Sequence, residues 1–304
     1  MRGQYVGRFA PSPTGPLHAG SIVAAVASYL DARAHQGLWL LRIEDIDHPR
    51  SVPGADRAII DTLARLGMRS DRPVIWQRHR EARYQQGFER LRESGWLYAC
   101  GCTRREIADS QTRLHALAQE AEPIYPGTCR AGLAAGRSAR SWRVKVDHAR
   151  IGWQDRNGTD HDDDLSGLVG DFVVRRADGL WAYQLAVVID DAEQGVTDVV
   201  RGADLTDSTA RQIHLQQLLG LPRPRYLHLP VVLAADGRKL SKQNGAASVD
   251  DLPALDVLNA ALIHLGLEAV DCAHLDDFWH EAVRRWLRSR WCDPRVSPRP
   301  LGSA

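Results

Sequence analysis

Two stretches far apart in the chain carry residue types that suit phosphate chemistry. The first is Arg8 to Ser21, R-F-A-P-S-P-T-G-P-L-H-A-G-S, in which five of fourteen residues are Pro or Gly. An extended lead-in from Tyr5 to Ala10, a loop, and the apolar run Ile22 to Leu30 together read as strand, loop and helix. The free N–H groups and the dipole of such a helix start suit a phosphate. His18 and Gly20 fall where the helix begins. The imidazole can donate to a phosphoryl oxygen, and the glycine lets a ligand approach the backbone closely. The second stretch is G-R-K-L-S-K-Q, Gly237 to Gln243. The whole chain holds three lysines, Lys145, Lys239 and Lys242, so two of them beside Ser241 in one short loop stand out. A lysine is a compact charge on a flexible stem and can follow a moving phosphate. Alone, H-x-G also describes a turn with a solvated histidine; both stretches together argue for a nucleotide site.

These residues need a scaffold. Leu38 to Ile43 is a continuous apolar run of strand length, as in a buried parallel strand. It ends in Glu44-Asp45-Ile46-Asp47, beyond the carboxyl end of the strand, where ligands of open α/β sheets bind; Glu44 there could hold a substrate ammonium. Gly54 to Leu66 and Arg78 to Ser94 have helical spacing, stopped by Gly67 and Gly95. Alternation of strand and helix up to about residue 97 fits a doubly wound half-sheet. Tyr183 to Asp191 reads as the strand that resumes the sheet. A further strand, Val196 to Val200, delivers Arg201, whose planar fork suits a carboxylate. Thr206-Asp207-Ser208 can cap a helix from Thr209 to Leu219 that Gly220 ends. Tyr226 to Leu233 is one more strand, leading into the lysine loop.

Between the halves the texture changes. Cys100-Gly101-Cys102 is a short-reach chelating pair, a helix is expected from Arg104 to Ala121, and Cys129 follows on the Pro-Gly turn after Tyr125. A zinc site and incidental buried thiols both fit this spacing. Ser141 to Trp181 reads as antiparallel strands and hairpins with turns at Asp155-Arg156-Asn157-Gly158 and Asp178-Gly179. Asp160 to Asp164 reads as a solvated acidic loop. The last sixty residues are helical in pattern. Four arginines between Glu281 and Arg290, with Trp279, Trp286 and Trp291, suit either an RNA-contacting surface or an amphipathic helix with its tryptophans inward.

At 304 residues and a formal net charge of +1, the chain can bury a large core but does not announce a nucleic-acid binder. No secretory h-region and no run of 18 apolar residues is present, and five cysteines clustered as described fit a reducing compartment. A cytoplasmic monomer with no membrane contact is expected.

The first motif resembles the HIGH region, and K-L-S-K-Q the KMSKS loop, of class I aminoacyl-tRNA synthetases of the glutamyl group. The resemblance implies an α/β fold: a Rossmann-like parallel sheet split by a zinc-bearing α+β insertion, with a short helical C-terminal region. The expected division is 1–97 and 181–233 for the halves of the catalytic domain, 98–180 for the insertion, and 234–304 for the lysine loop and C-terminal helices. By the same resemblance Arg8, Phe9, Ala10, Pro11, Ser12, Glu44, Tyr183 and Arg201 hold L-glutamate. His18, Gly20, Lys239, Ser241 and Lys242 hold ATP with its Mg²⁺, with His18 and Lys242 acting on the reacting phosphates. Cys100, Cys102, Tyr125 and Cys129 bind one structural Zn²⁺, with His115 a competitor for the tyrosine's place. His18-Ala19-Gly20-Ser21 departs from the class pattern in lacking its second histidine. Only about sixty residues follow the lysine loop, fewer than an anticodon-binding region of the ordinary glutamyl enzyme. That length points to a truncated branch of the family, in which the tRNA(Asp) anticodon loop enters the active site and queuosine receives the glutamyl group.

Lys242→Ala should slow adenylate formation by orders of magnitude, as expected when charge is removed from a phosphoryl transition state, and leave the thermal unfolding midpoint unchanged. Glutamate-dependent pyrophosphate exchange and a melting curve on the same preparation check both halves.

Overall fold

The computed structural model describes residues 4–107, 124–232 and 249–292. Strand β1 (Val6–Phe9), helix α1 (Ala19–Ala34) and strand β2 (Leu38–Ile43) open the chain. The two strands pair in parallel with Arg8 opposite Leu40. Helix α2 (Ala55–Arg65) leads to β3 (Ile75–Trp76), which extends the sheet in parallel on β2, and helix α3 (Glu81–Glu93) follows. Apolar residues along β2 leave no wet face, which is why it runs as L-W-L-L rather than alternating. Its one charged residue, Arg42, is 0% exposed.

The middle of the chain is antiparallel. Strands β4 (Leu97–Cys100) and β5 (Ser141–Val144) pair, β6 (Arg150–Gln154) and β7 (Asp160–Asp164) form a hairpin, and β8 (Phe172–Arg175) adds to β5. The acidic run expected to be a solvated loop is therefore a strand. Its pairing with β6 supplies the backbone bonds, and cross-strand side chains absorb the charge: Arg150 with Asp162, and the Trp153 indole donating to Asp163 at 2.8 Å. Of the helix expected from Arg104 to Ala121, residues 104–107 are helical and the rest lies outside the described residues.

A second correction concerns Tyr183 to Asp191, expected as a strand. It is helix α4 (Tyr183–Gln194), ended by Gly195 in the left-handed conformation at φ 70°. A run apolar on every side has no period to separate strand from helix. Gln184, Asp190, Asp191 and Gln194 are buried with the apolar residues, as on a helix enclosed all round. The parallel pair β9 (Asp198–Gly202) and β10 (Arg225–Leu229) flanks helix α5 (Thr206–Leu219). Both strands are shifted from the expected bounds. Thr197 joins them to the first half by donating its N–H to the Val6 carbonyl at 2.9 Å.

Two further helices, α6 (Ala254–His264) and α7 (Leu275–Leu287), pack on α1. Trp286 is fully buried and Trp291 nearly so, so the tryptophans of this region face inward. No helix among the described residues is long and apolar enough to cross a membrane.

The tip of the β6–β7 hairpin is pinned to this core. Arg156 forks onto Asp31 of α1 at 2.6 and 2.9 Å, touches Asp198 at 3.3 Å and donates to the Trp291 carbonyl. Trp286 also donates to Asp31, at 3.1 Å. Burial pushes the Asp31 carboxyl up, but the bonds from Arg156 and its charge outweigh burial and hold it below the usual range.

Arg156→Met would take the guanidinium from a buried carboxylate, leaving it the Tyr5 hydroxyl, the Trp286 indole and His35, and should cost roughly 3–5 kcal/mol, read by urea unfolding at neutral pH. Asp31 has a lowered folded pKa, so its contribution is present above the unfolded value of about 4 and fades as pH falls below it. The gap between variant and wild type should narrow there.

Candidate active site

The loop after β1 is held open by its backbone. Glu44 donates its N–H to the Pro11 carbonyl at 3.0 Å, Val52 to Pro13 at 2.9 Å and Thr14 to Ser12 at 2.9 Å. Gly15 turns at φ 133°, a conformation closed to most side chains. The chain then enters α1 through His18, an extended N-cap residue whose Nδ1 accepts from the Ser21 N–H at 3.4 Å. A cavity of about 430 Å³ opens here, within the range of small-molecule sites. Its walls are Arg8 to Ser12, the N-cap His18 and the first turns of α1 including Gly20 and Ser21, Tyr183 from α4, Arg201, Gly202, Asp204 and Leu205, and Leu229 to Val232. Residues from 8 to 232 thus converge on one space.

Each arginine in the region is held differently. Arg8 is buried and pairs with Asp191, Nε to Oδ1 at 3.2 Å. Asp191 is shared with Arg42 at 2.8 Å, and Arg42 also reaches Glu44 at 3.1 Å and Asp190 at 3.7 Å. Asp190 takes further bonds from Gln77 and Tyr84 at 2.7 and 2.8 Å. Burial raises Asp191, but the charges of Arg8 and Arg42 outweigh it and keep its carboxyl below the ordinary range.

Arg201, also buried, has only neutral partners among the described residues. It donates to His228 Nε2 at 3.0 Å, Gln212 Oε1 at 2.9 Å and Thr209 Oγ1 at 2.8 Å. Two of its five N–H donors remain for a ligand. A desolvated guanidinium with no carboxylate beside it is a strong anion site.

Of the expected glutamate residues, Arg8, Phe9, Ala10, Pro11, Ser12, Tyr183 and Arg201 line the cavity. Glu44 is not among the lining residues. It lies behind them on Arg42, and burial raises its carboxyl despite Arg42 and Arg8. Burial likewise raises the Tyr183 phenol, which feels Glu44, Arg201 and Arg8 together. His18 and Gly20 line the same cavity. Lys239, Ser241 and Lys242 lie outside the described residues, as does His115. Sequence reading missed Arg42, Asp155, Asp191, Thr209, Gln212 and His228; an arginine in an apolar run and acids closing an apolar run were the available signals for the first and third.

A separate cluster joins β4 to the turn after Tyr125. The sulfurs of Cys100, Cys102 and Cys129 lie within 4.8 Å of one another and could hold a metal ion. The Tyr125 hydroxyl is 3.4 Å from Cys100 Sγ and 3.7 Å from Cys102 Sγ, and Cys102 and Cys129 are 3.6 Å apart. Burial raises the Cys100 thiol, but bonds from Tyr125, the Cys102 amide and Arg143 bring it down to about 7.

The family model for class I tRNA synthetases (E and Q), catalytic domain, matches residues 4–272, and the chain belongs to that family. Curated relatives narrow the family to the glutamyl-Q tRNA(Asp) synthetases. The glutamyl-Q tRNA(Asp) synthetase of Verminephrobacter eiseniae is 56% identical over 289 residues, 93% of this chain and 97% of its own length. That of Aromatoleum aromaticum is 56% identical over 285 residues, 93% and 89%. Among solved structures, the glutamate-tRNA synthetase of Elizabethkingia anophelis superposes with a TM-score of 0.69 at 28% identity over 80% of this chain. The chain spans about half, 53%, of that larger protein. A glutamate tRNA ligase from Elizabethkingia meningosepticum, solved in complex with its amino acid, shares the fold at a TM-score of 0.74 and 24% identity, over 91% of this chain and 64% of its own.

Replacing Arg201 by Met should abolish binding of a carboxylate amino acid to this cavity, a loss of roughly 2–5 kcal/mol by analogy with other desolvated charge pairs. Isothermal titration of wild type and variant with glutamate, and with ATP as the control ligand expected to be unaffected, checks this.

Proposed function

We propose that the chain activates L-glutamate with ATP, without tRNA, and transfers the glutamyl group to queuosine at the wobble position of tRNA(Asp). The observation that carries this is the pairing, in one cavity, of two buried arginines with the amino end of a sixteen-residue helix. Arginine forks suit an amino acid carrying two carboxylates, and the helix start suits the phosphates of a nucleotide.

In this reading Arg201 and Arg8 hold the carboxylates, Tyr183 forms a wall, and Glu44 attracts the ammonium from behind the lining through its charge. An oxygen of the glutamate α-carboxylate attacks the α-phosphorus of ATP, and pyrophosphate leaves. A hydroxyl of the queuosine cyclopentene diol then attacks the acyl carbon, and AMP leaves. No protein nucleophile is required; positioning and charge stabilisation suffice. His18 and Gly20 receive the phosphates, and Mg²⁺ accompanies ATP. Lys239, Ser241 and Lys242 are assigned to the same phosphates because K-L-S-K-Q resembles the KMSKS loop of the family.

The cysteine cluster is assigned one structural Zn²⁺. With Zn–S near 2.3 Å and Zn–O near 2.0 Å, a tetrahedral site has S–S edges of about 3.8 Å and S–O edges of about 3.5 Å. Three of the six separations, 3.4 Å and 3.7 Å from the Tyr125 oxygen to Cys100 and Cys102 and 3.6 Å between Cys102 and Cys129, fit those edges, and the three sulfurs lie within 4.8 Å of one another. Nothing in the reaction is routed through this ion.

Two experiments test these assignments. Labelled glutamate and ATP are incubated with the protein and offered queuosine-containing tRNA(Asp), queuosine-free tRNA(Asp) or tRNA(Glu). Label on the first alone, with pyrophosphate exchange in the absence of tRNA, is expected; label on tRNA(Glu) overturns the reading. Cys100→Ser should lower zinc content, measured by atomic emission, and thermal stability before it lowers exchange in the residual folded protein. Full zinc occupancy and unchanged stability would remove the metal assignment.

A further inference from the structure

Arg201 is held by a relay that ends on the turn between β6 and β7. On β10, His228 is the register partner of Arg201 on β9. Its Nε2 accepts from Arg201 Nε at 3.0 Å and lies 3.3 Å from the Thr209 hydroxyl. Its Nδ1 lies 2.7 Å from Asp155 Oδ2. An Nε2 that accepts leaves the ring proton on Nδ1, where it is donated to the carboxylate. Asp155 sits at the tip of the β6–β7 hairpin, is 1% exposed, and its other oxygen accepts the N–H groups of Asn157 at 3.0 Å and His228 at 3.3 Å. Both carboxylate oxygens are therefore committed.

Why a histidine stands between the acid and the arginine follows from charge. A carboxylate placed directly on Arg201 would neutralise it and take the donors a ligand needs, as Asp190, Asp191 and Glu44 do for Arg42. A neutral imidazole orients the fork through Nε and leaves the cation unmatched. Burial lowers His228, Asp155 offsets part of this, and Arg201 lowers it further, so the ring stays neutral. Gln212, which receives Arg201 Nη1, is held in turn by donating to Gln184 at 3.0 Å. Every first partner of the guanidinium is uncharged.

We propose that Asp155 and His228 are positioning residues for carboxylate recognition: Asp155 fixes the Nδ1–H tautomer of His228, and that tautomer aims the Arg201 fork at the substrate carboxylate. Specificity for a carboxylate over an amide side chain thus depends on a residue contributed by the hairpin, remote in sequence from both phosphate motifs. The inference rests on the reading that this cavity takes glutamate.

Asp155→Asn is the informative variant. The two backbone N–H groups keep the amide oxygen at the Oδ1 position, so the NH₂ group faces His228 Nδ1 and donates to it. The imidazole must then carry its proton on Nε2, pointing at Arg201 Nε–H, donor against donor. Loss of an orienting partner of this kind should raise the glutamate KM in pyrophosphate exchange roughly 10–100-fold and leave the ATP KM unchanged. In ¹⁵N-histidine-labelled protein, the wild type should show His228 protonated on Nδ1 and the variant on Nε2. His228→Gln, whose side-chain oxygen can replace Nε2 as acceptor, should retain more glutamate affinity than His228→Leu. Equal increases in both KM values, or an unchanged glutamate KM in Asp155→Asn with active wild type, overturns the inference alone. A wild-type protein with no glutamate-dependent exchange overturns the glutamate reading and this inference with it. Should Asp155→Asn fail to fold, the wild-type spectrum still decides, since a proton on Nε2 of His228 contradicts the relay.

Discussion

A guanidinium taken out of water must be matched by charge or left as a site for a charge to come, and this distinction sorts the arginines of the core. Arg42 is surrounded by Glu44, Asp190 and Asp191, and Arg156 by Asp31 and Asp198. Both are satisfied within the chain and serve to hold elements together. Arg201 has His228, Gln212 and Thr209 instead. The desolvation cost of its charge is offset only in part by neutral hydrogen bonds. Arg8 stands between these cases, sharing Asp191 with Arg42. The unmatched positive charge is thereby concentrated on the cavity side of the network.

The fold supports this by bringing distant segments to one layer. The loop between β1 and α1 supplies the helix start, α4 supplies Tyr183 and Asp191, and the β9–β10 pair supplies Arg201 and His228. The hairpin tip contributes twice in succession: Asp155 braces His228, and Arg156 locks onto Asp31 and the Trp291 carbonyl. One turn of the antiparallel middle region is therefore tied both to the cavity-lining Arg201 and to the packing of α1 against the C-terminal helices. Movement of that turn would disturb both.

Much of the site was legible in the sequence because its signals are local. The Pro/Gly loop with His18 and Gly20, the strand Leu38 to Ile43 and the arginine at a strand end each follow from residue types within a few positions. What failed was of two kinds. Tyr183 to Asp191 is apolar without a period, so helix and strand were indistinguishable until its surroundings enclosed it. Asp160 to Asp164 looks solvated by composition, and only its partner strand makes it a strand. The relay partners were invisible for a further reason: Asp155 and His228 are 73 residues apart, and nothing near either in sequence marks them as neighbours. The lysine loop, legible as a motif, lies outside the described residues.

In the proposed function one cavity takes a dicarboxylate amino acid at Arg201 and a nucleotide at the start of α1. A crystal structure of the protein with a non-hydrolysable glutamyl-adenylate analogue measures this directly. The expected result is the side-chain carboxylate on the Arg201 fork, with His228 still accepting from its Nε, and the phosphate mimic beside His18 and Gly20. An analogue bound elsewhere, or bound here with its carboxylate turned away from Arg201, would contradict it.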